Sequence, residues 1–382
     1  MKDTVRIGFI GCGGIANQKH LPAMFCEKQN GAQLVAFCDL IPERAQAAAD
    51  KYGDPGCKVY TDYHELLADP TIDAVHVLTP NVAHCEISCA AMEAGKHVLC
   101  EKPMAATKED AERMMEVHKK TGKMLTIGYQ YRHFSDNAIA KKVVDTGMLG
   151  DIYYAEASYI RRRGVPTWGV FPDKSKQGGG PLIDIATHVL DLTLWMMNNY
   201  EPAVVLGTSF EKLGKLLPPE EQGQNNWKGE PDPWDNKTFE VEDSAMGFIR
   251  MKNGACIYLK ASWALNTVQN PGQVLLCGTK GGLDTYDGVT VNNVIAGQTS
   301  VTKVGEKRAM FMPGFGPEGG APQPSREAQI WVHALKTGKQ EDLFVQPEQA
   351  LTITRILDAI YESNRTGKAV YFDDNGKPIP TK

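Results

Sequence analysis

Long apolar runs are missing from this sequence: the longest are of strand length, and none approaches the roughly 18 residues of a membrane span. No block of basic residues accompanies the net charge of -5, which argues against nucleic acid or an anionic membrane as the main partner. No internal repeat is visible, and 42% hydrophobic with 23% charged residues does not indicate disorder. An even set of cysteines is also missing. There are nine, mostly beside strand or helix residues, as in Phe37-Cys38 and Val98-Leu99-Cys100, which reads as buried, reduced thiols. Cys85 and Cys89 lie four apart, but no second pair with ligand spacing accompanies them, so packing rather than a metal site is expected there. The first strand starts at Val5 and leaves no room for a signal peptide, so a cytoplasmic location is expected.

What is present begins at Val5-Arg6-Ile7-Gly8-Phe9-Ile10, an apolar, β-branched run that breaks into Gly11-x-Gly13-x-x-Ala16. Such a break suits a strand that turns sharply into a helix beneath a pyrophosphate. Gly11 permits the turn, Gly13 has no Cβ to hold phosphates away, and Ala16 lets helix and strand pack closely. A second apolar run, Gln33 to Cys38, ends at Asp39, within a few residues of where a ribose-binding acid falls. A carboxylate there accepts from both ribose hydroxyls and repels a 2′-phosphate, which reads as NAD(H) over NADP(H). Arg44, five residues on and placed by the pattern on the next helix, keeps NADP(H) open.

With 382 residues there is room for two domains. Up to about residue 129, strands at 5–10, 33–38, 57–60, 73–78, 96–100 and 124–128 alternate with helical stretches, the pattern of a doubly wound parallel sheet. Ligand then lies beyond the carboxyl ends of the strands, on the side of Thr79-Pro80-Asn81 and Glu101-Lys102-Pro103. After a helix at about 135–146, strands at 152–163, 203–212, 239–251, 255–263, 273–278, 283–286, 289–295 and 301–304 predict a large, mostly antiparallel sheet in an α+β domain. Residues 213–237 and 306–324 read as long loops, and helices at 325–337 and 347–364 close the chain. The expected division is 1–129 and 130–382.

Two constellations could carry chemistry. Lys102, before Pro103, is aimed from an extended stem near the nicotinamide half of such a sheet. In Gly178-Gly179-Gly180-Pro181-Leu182-Ile183-Asp184-Ile185-Ala186-Thr187-His188-Val189-Leu190-Asp191, glycines and a proline announce a helix. On it Asp184, His188 and Asp191 recur on one face, which is either a satisfied core network or a site.

Together the strand-turn-helix fingerprint, Glu101-Lys102-Pro103 and Gly179-Gly180-x-Leu182-x-Asp184-x-x-x-His188 resemble the glucose-fructose oxidoreductase and inositol dehydrogenase family, Gfo/Idh/MocA. Gly128-Tyr129-Gln130-Tyr131-Arg132, Val241-Glu242-Asp243 and Ser262-Trp263-Ala264 extend the resemblance over nearly the whole chain. It implies a Rossmann domain, a second domain on a large open sheet, and a cis Lys102-Pro103 bond. It also implies hydride transfer between a nicotinamide and a sugar, anhydrosugar or cyclitol hydroxyl, and dimers or tetramers formed through the second sheet.

By that match Lys102, Asp184 and His188 are the catalytic set. Neutral His188 suits removal of a hydroxyl proton, Lys102 would stabilise alkoxide charge, and Asp184 could anchor a neighbouring hydroxyl or share the proton. Cofactor contacts are expected from Gly11, Cys12, Gly13, Gly14 and Ile15, and from Asp39, Leu40 and Arg44. Further contacts are expected from Thr79, Pro80, Asn81, His84, Glu101 and Lys102. Arg161 and Arg163 alternate onto one face of a strand end and, with Trp168, Tyr131 and Arg132, are candidates to bind a polyhydroxylated ring beside Asp184 and His188. Trp263 reads as core or interface. Two alternatives remain open: a retained NAD used for transient oxidation in glycoside cleavage or epimerisation, and a nucleotide-sensing protein without turnover.

Overall fold

The computed structural model describes residues 2–167, 169–217, 238–268, 270–305 and 325–379. They form two compact units: the described residues of 1–105, 109–133 and 310–351, and those of 106–108, 134–309 and 352–382.

The first unit holds six strands: β1 (Val5–Ile10), β2 (Ala32–Cys38), β3 (Lys58–Tyr60), β4 (Ala74–Val77), β5 (His97–Glu101) and β6 (Leu125–Gly128). All pairs are parallel, in the order β3-β2-β1-β4-β5-β6. Order reverses at β1/β4, so the Gly11 turn and Thr79 lie at the switch point where such sheets bind ligands. β1 and β4 are buried along nearly their whole length because helices cover both faces. The intervening helices start where the sequence signals fall: Pro42 opens Pro42–Tyr52, and Asp62 caps Tyr63–Ala68 by accepting the His64 N–H at 2.8 Å.

One covering helix comes from far along the chain. Helix Arg326–Thr337 buries Trp331, Val332, Ala334 and Leu335 in one cluster with Val5, Ile7 and Phe9. The expected division at 129/130 places this helix in the second domain, whereas here it packs within the first unit. The helical pattern at 325–337 is legible, but nothing in its apolar spacing names the sheet it covers.

The second unit is built on ten strands: β7 (Ile152–Ile160), β8 (Pro202–Phe210), β9 (Ser244–Met251), β10 (Cys256–Ser262), β11 (Asn270–Gly278), β12 (Gly281–Asp284), β13 (Val289–Ile295), β14 (Gln298–Val304), β15 (Val370–Phe372) and β16 (Pro378–Ile379). The order is β14-β13-β12-β11-β7-β10-β9-β8-β15-β16, antiparallel except for the β7/β10 pair. The hairpin β15/β16 follows the last helix, whereas the sequence reading ends the chain on helices; strands of three and two residues are too short to show alternation. Of the expected loop at 213–237, Leu213–Leu216 forms one helical turn and 218–237 lie outside the described residues, as do 306–324.

One face of this sheet is covered. Gly207 and Gly247 sit opposite each other in β8/β9, and a Cβ at either would come within 2.7 Å of Ile360 on helix Pro347–Thr366. On the other face Leu206 pairs with Phe248, and Tyr371 with Val204; Leu206, Phe248 and Tyr371 are about half exposed. Among the described residues no helix is long and apolar enough to cross a membrane.

Candidate active site

The Gly11 turn is held from three sides. Gly11 has φ +96°, and a Cβ there would lie 2.6 Å from the Leu78 carbonyl oxygen, so the turn presses on the end of β4. Asp39 accepts the Cys12 N–H at 2.8 Å through one oxygen and the Ile41 N–H at 2.9 Å through the other. Asn17, unnoticed in the sequence, donates its amide to the Cys12 carbonyl at 2.8 Å and the Gly13 carbonyl at 3.0 Å. A Cβ on Gly13 or Gly14 would have no atom within 4 Å, so the backbone there faces open space.

Ala16 is fully buried, as close packing of helix on strand requires, and Ile15 is half-buried. The Cys12 thiol is buried, and burial with the neighbouring Asp39 carboxylate pushes it up to about 12, so it stays neutral. Leu40 is 90% exposed beside Asp39, Arg44 is exposed on its helix, and Thr79 Oγ1 is buried without a hydrogen-bond partner among the described residues. Pro80 is exposed and Asn81 half-buried at the start of the next helical turn. An open glycine backbone at a helix start, a carboxylate beside it and an unspent hydroxyl fit a dinucleotide.

The Lys102–Pro103 peptide is cis. Glu101 is turned inward: its carboxylate accepts from Lys19 Nζ at 2.8 Å, His20 Nε2 at 2.7 Å and the Lys102 N–H at 3.0 Å. Lys19 completes its three donors on Gln130 Oε1 (3.3 Å) and Glu327 Oε2 (2.9 Å). Burial opposes ionisation, yet the Lys19 ammonium and His20 hold Glu101 well below the usual carboxylate range, and Lys19 chiefly lowers Glu327.

His84 is likewise interior. It is fully buried, with Nδ1 2.8 Å from the Pro103 carbonyl oxygen and Nε2 3.0 Å from that of Thr79, and so ties the β4 and β5 turns together. Arg132, a substrate candidate, is interior as well. Its guanidinium is wholly buried and donates to the Phe344 carbonyl at 3.1 Å and Gln349 Oε1 at 2.7 Å, because a charge withdrawn from water must spend its donors inside. Tyr131 is buried beside it in the turn Gln130–His133.

In the second unit the helix bearing Asp184 and His188 opens with a π-turn, Leu182–Ala186, and continues as Thr187–Met197. Its polar stripe runs inward: Asp184 is half-buried, His188 6% exposed and Asp191 fully buried. Trp263, itself buried, donates its indole Nε1–H to Asp184 Oδ2 at 3.0 Å. Asp184 therefore keeps one oriented oxygen and a surface.

The Arg161–Arg163 stretch continues from β7 along the end of β10. Arg161 donates its backbone N–H to the Ser262 carbonyl at 2.9 Å, and Arg163 bridges to Ala264, so both flank Trp263. The Arg161 guanidinium lies 5.4 Å from the Tyr159 ring centre and donates to the Gly164 carbonyl at 3.1 Å, while Arg163 donates to Asn266 Oδ1 at 2.7 Å. Trp168 lies outside the described residues.

Comparison with known proteins matches both halves of this architecture. The profile described as "Oxidoreductase family, NAD-binding Rossmann fold" matches residues 5–129, and "Oxidoreductase family, C-terminal alpha/beta domain" matches 141–372. The chain belongs to the Gfo/Idh/MocA oxidoreductase family. It is 34% identical to D-glucoside 3-dehydrogenase of Escherichia coli over 96% of this chain and 97% of that protein. It is 33% identical to inositol 2-dehydrogenase of Salmonella typhimurium over 51% of this chain and 55% of that one. A solved structure of levoglucosan dehydrogenase with NADH and levoglucosan shares the fold at TM-score 0.73 and 24% identity, covering 96% of this chain and 99% of that one.

As a Gfo/Idh/MocA chain, its first unit is an NAD-binding Rossmann domain. Four contributors to the geometry escape sequence reasoning: Asn17, Lys19, Tyr159 and the indole of Trp263. For Asn17 a signal exists, since an Asn one residue past the third small position of the turn can reach back to its carbonyls. Tyr159 has one too, standing two residues before Arg161 on the same strand face, whereas Lys19 and Trp263 have none, because their partners Glu101 and Asp184 lie tens of residues away.

Proposed function

We propose that the chain is a dehydrogenase that moves a hydride between a nicotinamide and a secondary hydroxyl of a sugar, anhydrosugar or cyclitol, with Lys102, Asp184 and His188 as catalytic residues. The observation that carries the reading is the Asp184–His188 helix: an imidazole almost withdrawn from water, one turn from a half-exposed carboxylate oriented by Trp263, in a chain with an NAD-binding domain. NAD, when bound, accepts the hydride. His188 takes the hydroxyl proton, Lys102 stabilises the charge developing on that oxygen, and Asp184 orients a neighbouring hydroxyl. Arg161 and Arg163 offer guanidinium donors to further hydroxyls of the same ring. The names of the relatives, a glucoside dehydrogenase and an inositol dehydrogenase, support the substrate class.

For the cofactor, NAD(H) is favoured over NADP(H): Asp39 is fixed at the turn by two backbone N–H groups, Arg44 is exposed on the following helix, and Leu40 offers an apolar surface to the adenine. The half-exposed apolar face that includes Leu206, Phe248 and Tyr371 supports pairing of copies through the large sheet. Light scattering that gives the monomer mass at micromolar concentration contradicts that pairing.

The experiment is a panel of glucosides, inositols and anhydrosugars with NAD and NADP, followed by nicotinamide absorbance. Reduction with at least one polyol, more efficient with NAD, is expected. A protein that carries NAD through purification yet reduces none of it across the panel overturns the reading in favour of transient internal oxidation.

A further inference from the structure

The helix bearing Asp184 and His188 starts against a buried carboxylate that the proposed chemistry leaves unused. Glu242, 5% exposed, accepts three hydrogen bonds on one oxygen: from the Gly180 N–H at 3.0 Å, the Leu182 N–H at 3.1 Å and the Tyr361 hydroxyl at 2.8 Å. Between the two amides stands Pro181, which has no N–H, so Glu242 satisfies both donors that this first turn offers there. That oxygen accepts whether or not the carboxyl is ionised. The glycines before Pro181 exist for this contact: a Cβ on Gly179 would lie 2.1 Å from the Tyr361 hydroxyl, and one on Gly180 would lie 2.1 Å from the Glu242 carbonyl oxygen.

The same short segment reaches the site by a second route. The next residue, Asp243, accepts the Trp263 N–H on its carbonyl at 2.8 Å, and the Trp263 indole holds Asp184. Glu242 thus fixes where the helix begins, and its chain neighbour fixes the residue that orients Asp184. Glu242 and Asp243 turn their carboxylates to these anchors just before β9 begins at Ser244.

We propose that Glu242, supported by Tyr361, is a positioning residue for Asp184 and His188, acting through the start of their helix rather than by touching substrate. The proposal rests on the dehydrogenase reading for the roles of Asp184 and His188, but the contact itself does not. Two measurements separate them. Hydrogen exchange by mass spectrometry on the full-length protein reads the helix start directly: Glu242→Ala should speed exchange over residues 180–188 while β1 to β6 keep their protection, and Glu242→Gln, which retains an acceptor oxygen, should restore it.

Turnover with the best substrate of the panel should fall about 10- to 100-fold in Glu242→Ala at saturating substrate, the scale of a displacement of about an ångström, and recover most of that in Glu242→Gln. A role in stability alone would lower the melting temperature and leave turnover per folded molecule unchanged. If Glu242→Ala does not fold, Glu242→Asp decides, because its carboxylate is about 1.5 Å shorter in reach and cannot span both amides and the tyrosine. Unchanged exchange at 180–188 overturns the proposal, as does normal turnover in Glu242→Ala while His188→Ala is inactive. An active His188→Ala protein instead overturns the dehydrogenase assignment and leaves exchange to judge the contact.

Discussion

Glu101 accepts a hydrogen bond from Lys19 at 2.8 Å although the two side chains keep only 5% and 3% of their exposure. Lys19 also holds Glu327, so replacing it with methionine strands two carboxylates in the interior. Lys19→Met should cost about 3 to 5 kcal/mol, the scale for removing one partner of a buried ion pair. The double variant Lys19→Met/Glu101→Gln should lose less than the sum of its parts, because the two residues share one network. Urea denaturation of the three proteins checks both statements, and an additive double variant contradicts the second.

Acid should destabilise the protein well above the usual carboxylate range. His76, His84, His97 and His133 all titrate below the ordinary histidine value because they are buried, His97 and His133 at about 4. Below about pH 6.5 the unfolded chain takes up protons that the native state refuses at these positions, so stability falls with pH. The slope approaches about 1.4 kcal/mol per pH unit for each such histidine. Glu101 and Glu327, held low, add stability above about pH 4.3 that is lost as pH falls through their folded values. Melting temperatures from pH 8 to 4.5 test this, and a flat profile below pH 6.5 contradicts it.

Asp39 should govern cofactor choice. Removing its charge relieves repulsion of a 2′-phosphate and weakens the bond to a ribose hydroxyl, narrowing the preference for NAD over NADP by about 1 to 3 kcal/mol. Asp39→Asn is the cleaner variant, because an amide oxygen can still accept the Cys12 N–H, whereas Asp39→Ala also loosens the turn. Efficiencies with both cofactors give the answer, and equal wild-type efficiencies rule out the premise.

His188→Ala should leave NAD affinity nearly intact and cut turnover by about two to four orders of magnitude, the range of a positioned general base. Lys102→Ala should also cripple turnover, and the double variant should lose less than the product of the two losses. Were the Asp184–His188 stripe only a core network, the same substitutions would lower the melting temperature and impair cofactor binding with the rate. Calorimetry, cofactor titration and kinetics on one set of variants tell these apart.

The first sheet is legible because its strands are nearly continuous apolar runs, each stopped by a residue with a local reason, such as Gly11 or Asp39. The Asp184–His188 helix is legible for the same kind of reason: Gly180-Pro181 states its start in the chain itself. What stays hidden is where a side chain goes next. Glu101 stands beside Lys102 in one motif, yet its carboxylate turns to Lys19 and His20, 82 and 81 residues earlier. Arg132 looks like an available guanidinium until Phe344 and Gln349, more than 200 residues on, absorb its donors. Sequence spacing encodes local geometry well, and it carries almost nothing about partners supplied by another element.

The helix Arg326–Thr337 has a consequence for the order in which the chain can be completed. Trp331 and its neighbours finish the apolar layer that Val5, Ile7 and Phe9 begin, so the nucleotide-binding unit is closed by residues made more than 300 positions after it starts. During synthesis the first strands wait with one face uncovered until the sequence beyond Leu335 has left the ribosome. A fragment ending at Tyr129 would carry the whole dinucleotide turn and still lack that covering layer.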